Sequence, residues 1–99
     1  GWFFMSIASY PHIDRIEGVC GGKPCIEGHR LRVQDIAIEH EWQGLSPAEI
    51  CREHPGITLS QVHAALTYFY DHRDEIQRDI EAEADQVKAF QQLHPDWVR

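Results

Sequence analysis

Apolar residues recur at helical spacing through the second two-thirds of the chain and at no clean spacing before it. In VQDIAIEHEWQG, Val33, Ile36, Ala37 and His40 stand at i, i+3, i+4 and i+7, and Ile38 and Trp42 make a second stripe. This spacing predicts a helix buried on two sides. Gly44 supplies the residue that most readily turns left-handed at a helix end. LSPAEICREHPG then carries a strong start signal. Ser46 is placed as N-cap, Pro47 as first helical residue and Glu49 as the closing partner of a capping box. Leu45 and Ile50 flank it as a hydrophobic staple, and His54-Pro55-Gly56 ends the helix. A second box, Thr58 with Gln61, opens a helix whose inner face is Leu59, Val62, Leu66 and Phe69, with Ala65 allowing close approach. After Asp71 the pattern predicts a kink or a new start, with Asp71 as cap and Asp74 at N3. A last stripe follows at Ile76, Ile80, Ala84 and Val87, extended by Phe90 or Leu93.

Before Val33 the alternation is weak, and glycines interrupt Ile13, Ile16, Val19, Ile26 and Leu31. Short strands are predicted near His12 to Arg15, Pro24 to Ile26 and Arg30 to Arg32. One hairpin is marginal in water, so it must lie on the helices or pair with another copy. The fold class is therefore mostly α (α+β): a short N-terminal β hairpin element, a helix-turn-helix-like trio and a longer C-terminal helix. Residues 1–10 form a flank, 11–93 a single domain (11–32 the β element, 33–93 helical) and 94–99 a tail. The weak strands and the aromatic flank of Trp2, Phe3, Phe4 and Tyr10 need cover, which predicts a homodimer.

With 99 residues the chain builds one domain with a modest core. The formal net charge of -7 argues against unaided, non-specific nucleic-acid binding and suits a basic partner. Three cysteines, Cys20, Cys25 and Cys51, leave one over from any single bridge, as expected for free thiols in a reducing cytosol. The opening GWFFMSIASY lacks the basic region of a signal peptide and the length of a membrane span, so a cytoplasmic protein without a membrane anchor is expected.

Candidate chemistry is sparse. In the helix-turn-helix reading, Ser60, Gln61 and His63 sit where side chains reach base edges. Yet no Arg or Lys lies between Ile57 and His72 to hold phosphates. The stretch GVCGGKPCIEGHR is rich in chemistry-bearing types, but Lys23 is followed by Pro24, not by the hydroxyl of a phosphate loop. Cys20 and Cys25 with His29, Cys51 or His54 have knuckle-like spacing for zinc, but no second cysteine pair stands behind them. A Cys20–Cys25 disulfide fits a hairpin, and packed free thiols are the expected state. The glycines and Pro24 are read as turn-formers, so neither a metal nor a cofactor is expected. Lys23, Arg30 and Arg32 form the main basic concentration. The run from Asp71 to Asp85 is strongly acidic, and Asp74, Asp79 and Glu83 are its candidate partner-binding residues. No HExxH or GxSxG frame appears, so no enzyme activity is expected.

Taken together, Gly18-Val-Cys-Gly-Gly-Lys-Pro-Cys-Ile-Glu-Gly28, Arg30, Val33 and Ile36 resemble the signature of a small prokaryotic family, domain of unknown function 433 (DUF433). The pattern continues through Gly44-Leu-Ser-Pro-Ala-Glu-Ile50, His54-Pro-Gly-Ile57, Val62, Ala64-Ala-Leu66, Tyr68 and Asp71-His-Arg-Asp-Glu-Ile76. The resemblance spans Ile13 to about Ile80. It implies a homeodomain-like helical protein with an N-terminal β element. It also implies an antitoxin-like role beside a PIN-like ribonuclease toxin, with promoter DNA as a further candidate partner. The alternative is a structural or regulatory homodimeric module with no nucleic-acid role. One departure is His29, where the family usually has Thr. In the antitoxin reading, the acidic amphipathic segment from Asp74 to Leu93 competes with RNA for the toxin's basic groove.

Overall fold

The computed structural model describes residues 10–15 and 20–96. Trp2, Phe3, Phe4, Ile16, Gly18 and Val19, which figure in the sequence reading, lie outside the described residues. The order is strand β1 (Ile13–Asp14), a 3-10 turn (Cys20–Gly22), strand β2 (Cys25–Ile26), then helices α1 (Val33–Ala37), α2 (Pro47–Glu53), α3 (Leu59–Asp71) and α4 (Arg73–Leu93). The mostly helical fold with its N-terminal hairpin and long last helix is as the hydrophobic pattern predicts.

The strands are shorter than the sequence implies. β1 and β2 pair antiparallel, Ile13 with Ile26 and Asp14 with Cys25. The third predicted strand, Arg30 to Arg32, is reduced to one bridge between Cys25 and Arg32. Its length is limited from both sides. Gly28 turns the chain at φ 77°, and Arg32 already serves as N-cap of α1. The first strand is cut short by His12, at φ 69°. Gly21 and Gly22, at φ 67° and 77°, form the turn before Pro24, and that is where glycine is required.

Both capping boxes form. The Ser46 hydroxyl accepts from the Glu49 N–H while the Glu49 carboxylate accepts from the Ser46 N–H. Thr58 and Gln61 repeat the arrangement. The Ser46 backbone and side-chain bonds hold the Glu49 carboxyl below the usual carboxylate range. Ile50 is buried and Leu45 half-buried, as a staple requires.

Two features differ from expectation. After Ala37 the first helix widens into a π turn over Ile38–Trp42, with the Gln43 N–H donating to the Ile38 carbonyl at 3.0 Å. The wider turn moves the second stripe off the core: Ile38 is half-buried and Trp42 is 53 % exposed, so only one side is fully covered. The break between the last two helices falls at His72 (φ -127°, ψ 39°), not at an Asp71 cap. Asp71 ends α3, and its carboxylate accepts from the Tyr10 hydroxyl at 3.1 Å. His72 makes no side-chain cap for α4, and its ring stacks on Tyr68 at 4.2 Å.

The core is Ile26, Val33, Ile36, Ala37, Ile50, Ile57, Val62, Ala65, Leu66, Phe69 and Ile76. It brings α1, α2 and α3 together as the trio, with the hairpin across one end and the start of α4 closing it through Ile76. Burial of such side chains at about 25 cal/mol per Å² of apolar surface is the main force holding the trio.

Candidate functional site

The described part of that stretch, Cys20 to Arg30, folds as a support. Cys25 is buried at the β2 edge of the core. Burial, then the neighbouring Cys20 thiol and Asp14, push its thiol up to about 11, so at neutral pH it is a protonated packing group. The Cys20 thiol donates to the Arg30 carbonyl at 3.1 Å, and the three cysteines are free thiols. Among the described residues no three of His, Cys, Asp and Glu gather as a metal site. His29 is half-buried with its Cε1 facing Gly56, and His54 is tied through Nε2 to Glu39 at 2.7 Å.

The charged candidates come together in a way the sequence does not announce. Glu75, Asp79 and Glu83 stand at i, i+4 and i+8 on α4, one stripe of the helix. Each meets a base from the N-terminal segment: Glu75 pairs with Arg15, Asp79 with Lys23 at 3.8 Å, and Glu83 with Arg32 at 3.2 Å. Arg32 is the most tightly held base. Its guanidinium grips Asp35 through Nε and Nη2, at 3.1 and 2.8 Å, while its backbone N–H donates to Asp35 Oδ2. The Asp35 bonds raise its pKa beyond the ordinary arginine value against opposing desolvation, and Glu83 adds to the rise. Gln34, only 2 % exposed, donates from Nε2 to Glu83 Oε2 at 2.8 Å. Arg15 also donates to the Tyr68 hydroxyl at 3.4 Å.

Four of the six candidate partner-binding residues, Lys23, Arg32, Asp79 and Glu83, thus face one another within the chain. Arg30 and Asp74 are exposed and make no ion pair among the described residues. Sequence reading singled out neither Glu75 nor Gln34. The signal for Glu75 was present as acids repeating every four residues. Nothing local marks Gln34.

Beyond Glu83, α4 leaves the body. Every residue from Ala84 to Leu93 is exposed, with Val87 at 51 % and Leu93 at 76 %. A shallow groove of about 380 Å³ runs where this arm departs, its apolar floor made by Ile38, Ile80, Ala84 and Val87. Glu81 and Asp85 flank the stripe as exposed acids.

The outer face of α3 is different in kind. Ser60 and His63 are exposed, while Gln61 is half-buried with its amide oxygen engaged by the Thr58 N–H at 2.9 Å. Leu59, expected from its spacing on the inner face, is instead 49 % exposed, because it is the first helical residue and lies off the buried stripe of Val62, Ala65, Leu66 and Phe69; Tyr70, at the other end, is equally exposed. Trp42 packs edge-on against Phe69 at 6.2 Å, beside Tyr70. Burial and the nearby Glu41 carboxylate raise the Tyr70 phenol pKa, and Glu41 is itself paired with Arg73 at 3.2 Å. Among the described residues no helix is long and apolar enough to cross a membrane.

No curated protein matches the chain. The crystal structure of a DUF433 member protein from Anabaena variabilis is similar over 81 % of this chain and 77 % of that one, at 28 % identity and a TM-score of 0.64. The model of the family described as "Protein of unknown function (DUF433)" matches residues 8–69, from the N-terminal flank to the last core aromatic of α3. With more than half its length matched, and with the turn-forming glycines, both capping boxes and all but the last two residues of the helical trio inside that match, the chain belongs to the DUF433 family.

Proposed function

We propose that this chain is the antitoxin-like member of a toxin–antitoxin pair and holds a basic, PIN-like ribonuclease with the distal half of α4. The observation carrying this reading is the division of that helix. Its first half is bolted to the body by Ile76 and three ion pairs, and its second half projects with every side chain exposed. The projecting part continues the apolar stripe of half-buried Ile80 through Ala84 and Val87, with the exposed acids Glu81 and Asp85 alongside it. Such a helix fits an apolar groove with basic walls, which is also what a ribonuclease offers its RNA. The net charge of -7 favours encounter with a basic protein.

DNA has little to hold on this chain. The outer face of α3 carries no Lys or Arg to position a duplex. The second reading, a homodimeric interaction module with no nucleic-acid role, draws on that same uncharged face and makes no use of the acidic arm.

The reading expects a PIN-like ribonuclease encoded beside this chain's gene, and the test is inhibition of that ribonuclease by the chain. The purified chain is expected to suppress RNA cleavage at stoichiometric amounts, and Val87→Glu to weaken the complex by about tenfold or more, the effect of losing one buried apolar side chain. Cleavage that continues unchanged with excess chain present rejects the antitoxin reading and favours the second.

A further inference from the structure

We propose that two copies of this chain pair through the outer face of α3, antiparallel, with the two-fold axis between His63 and Thr67. The proposal is independent of the ribonuclease reading, because it uses a different helix.

Charge carries the argument. At a net charge of -7, copies of this chain repel one another over most of their surface. From His54 to Tyr70 there is no Asp, Glu, Lys or Arg. The exposed side chains of α3 within that run are Leu59, Ser60, His63, Thr67 and Tyr70. Thr67 turns its hydroxyl back to the His63 carbonyl at 2.9 Å, which leaves its methyl outward-facing and its polar group satisfied. Trp42, 53 % exposed, extends the patch past Tyr70. Depletion of charge with enrichment of aromatic residues is what marks the centre of an interface between proteins. At the rim, Glu41 and Arg73 neutralise each other, so they set no repulsion against a second copy.

The spacing is self-complementary. Leu59, His63, Thr67 and Tyr70 stand at i, i+4, i+8 and i+11, one exposed stripe along the helix. Laid antiparallel on its own copy, Leu59 lies near Tyr70 of the second copy and His63 near Thr67 of the second copy. A two-fold contact requires that each residue's partner see the same pairing in return, and this register meets that condition. A basic partner gains nothing on this face, which offers no acid to pair with. In the pairing proposed, Ser60 and His63 lie at the interface, so the same surface is closed to DNA.

Sedimentation equilibrium of the full chain at micromolar concentration tests the proposal. Two chains are expected for the unaltered protein. Leu59→Glu and Tyr70→Lys each place a charge against an apolar side chain, and each is expected to weaken self-association by about tenfold or more. Both changes suit the helix dipole at their own end, so α3 stays formed. The double variant, Leu59→Glu with Tyr70→Lys, brings opposite charges together across the two-fold and is expected to recover most of the lost association. Val87→Glu, on the α4 arm, is expected to leave the dimer intact. A single chain throughout the concentration range overturns the proposal. So does a dimer indifferent to both single changes, one broken by Val87→Glu, or a double variant no better than either single one.

Discussion

The two halves of α4 carry the same apolar period and opposite fates. Ile76 and Ile80 continue into Ala84 and Val87 without a break in spacing, and acids crowd both halves. Ile76 is 1 % exposed and Val87 is 51 % exposed. The difference comes from what lies across from each half. Up to Glu83, the hairpin segment supplies Arg15, Lys23 and Arg32, and the core supplies a floor under Ile76. After Glu83 the body ends, and the helix does not. An amphipathic stripe thus says where a helix is able to bury surface, and only the surrounding chain decides how much of it is buried.

The largest expected effect sharpens that contrast directly. Ile76→Ala leaves a cavity in a packed core and should cost about 2–5 kcal/mol of unfolding free energy. Val87→Ala, on the exposed arm, should stay within about 0.5 kcal/mol. Urea unfolding of the two variants side by side measures both.

Glu83 marks the boundary, and its removal is expected to cost less than Ile76→Ala and more than Val87→Ala. The ion pair itself contributes little, because the Glu83 side chain is 42 % exposed. The buried amide of Gln34 is a different matter. Without Glu83 it loses its acceptor, a cost of about 1–3 kcal/mol for a buried donor left unmade. Glu83→Ala should therefore destabilise, and Glu83→Gln, which keeps an acceptor, should recover most of the loss in the same denaturation assay. Equal losses in the two variants would place the contribution in the charge and not in the bond to Gln34.

A smaller effect lies at the support under the first half. The folded chain holds the Cys25 thiol up at about 11, above its ordinary value of 9.0. A group with a raised folded pKa contributes stability that is fully present below the unfolded value and is lost as pH rises through the folded one. Stability should therefore fall between about pH 9 and pH 11. Cys25→Ala should make that fall shallower, measured as the pH dependence of the denaturation midpoint. An unchanged slope would mean that the thiol does not stay protonated in the folded protein.

Legibility in the sequence followed locality. Both capping boxes, the Ser46 and Thr58 caps and the stops at Gly44 and His54-Pro55-Gly56 are fixed within a few residues, and the structure forms them as read. The ladder was only half legible. Its acids repeat visibly along α4, but each partner lies fifty or more positions away, and nothing in the sequence says which base meets which acid. The π turn at Ile38–Trp42 has no proline or glycine inside it to announce it, so Trp42 read as a second buried stripe. The helix break shifted by one residue because Asp71 found a competing partner in the Tyr10 hydroxyl, far outside any local window. The family resemblance was legible in the glycine and proline positions. The sequence reading carried it to about Ile80, whereas the family model ends at Phe69, so α4 lies beyond it.

The central claim is that α4 is one helix with an anchored half and a projecting half. Residue-by-residue amide hydrogen exchange on the chain alone tests it most directly. Amides near Ile76 and Ile80 should be protected close to the level of the core of α3, and protection should drop within a turn or two after Glu83, to the level of local helix opening. Uniform protection from Arg73 through Leu93 would contradict the account, because it would show that the body or another copy already holds the arm.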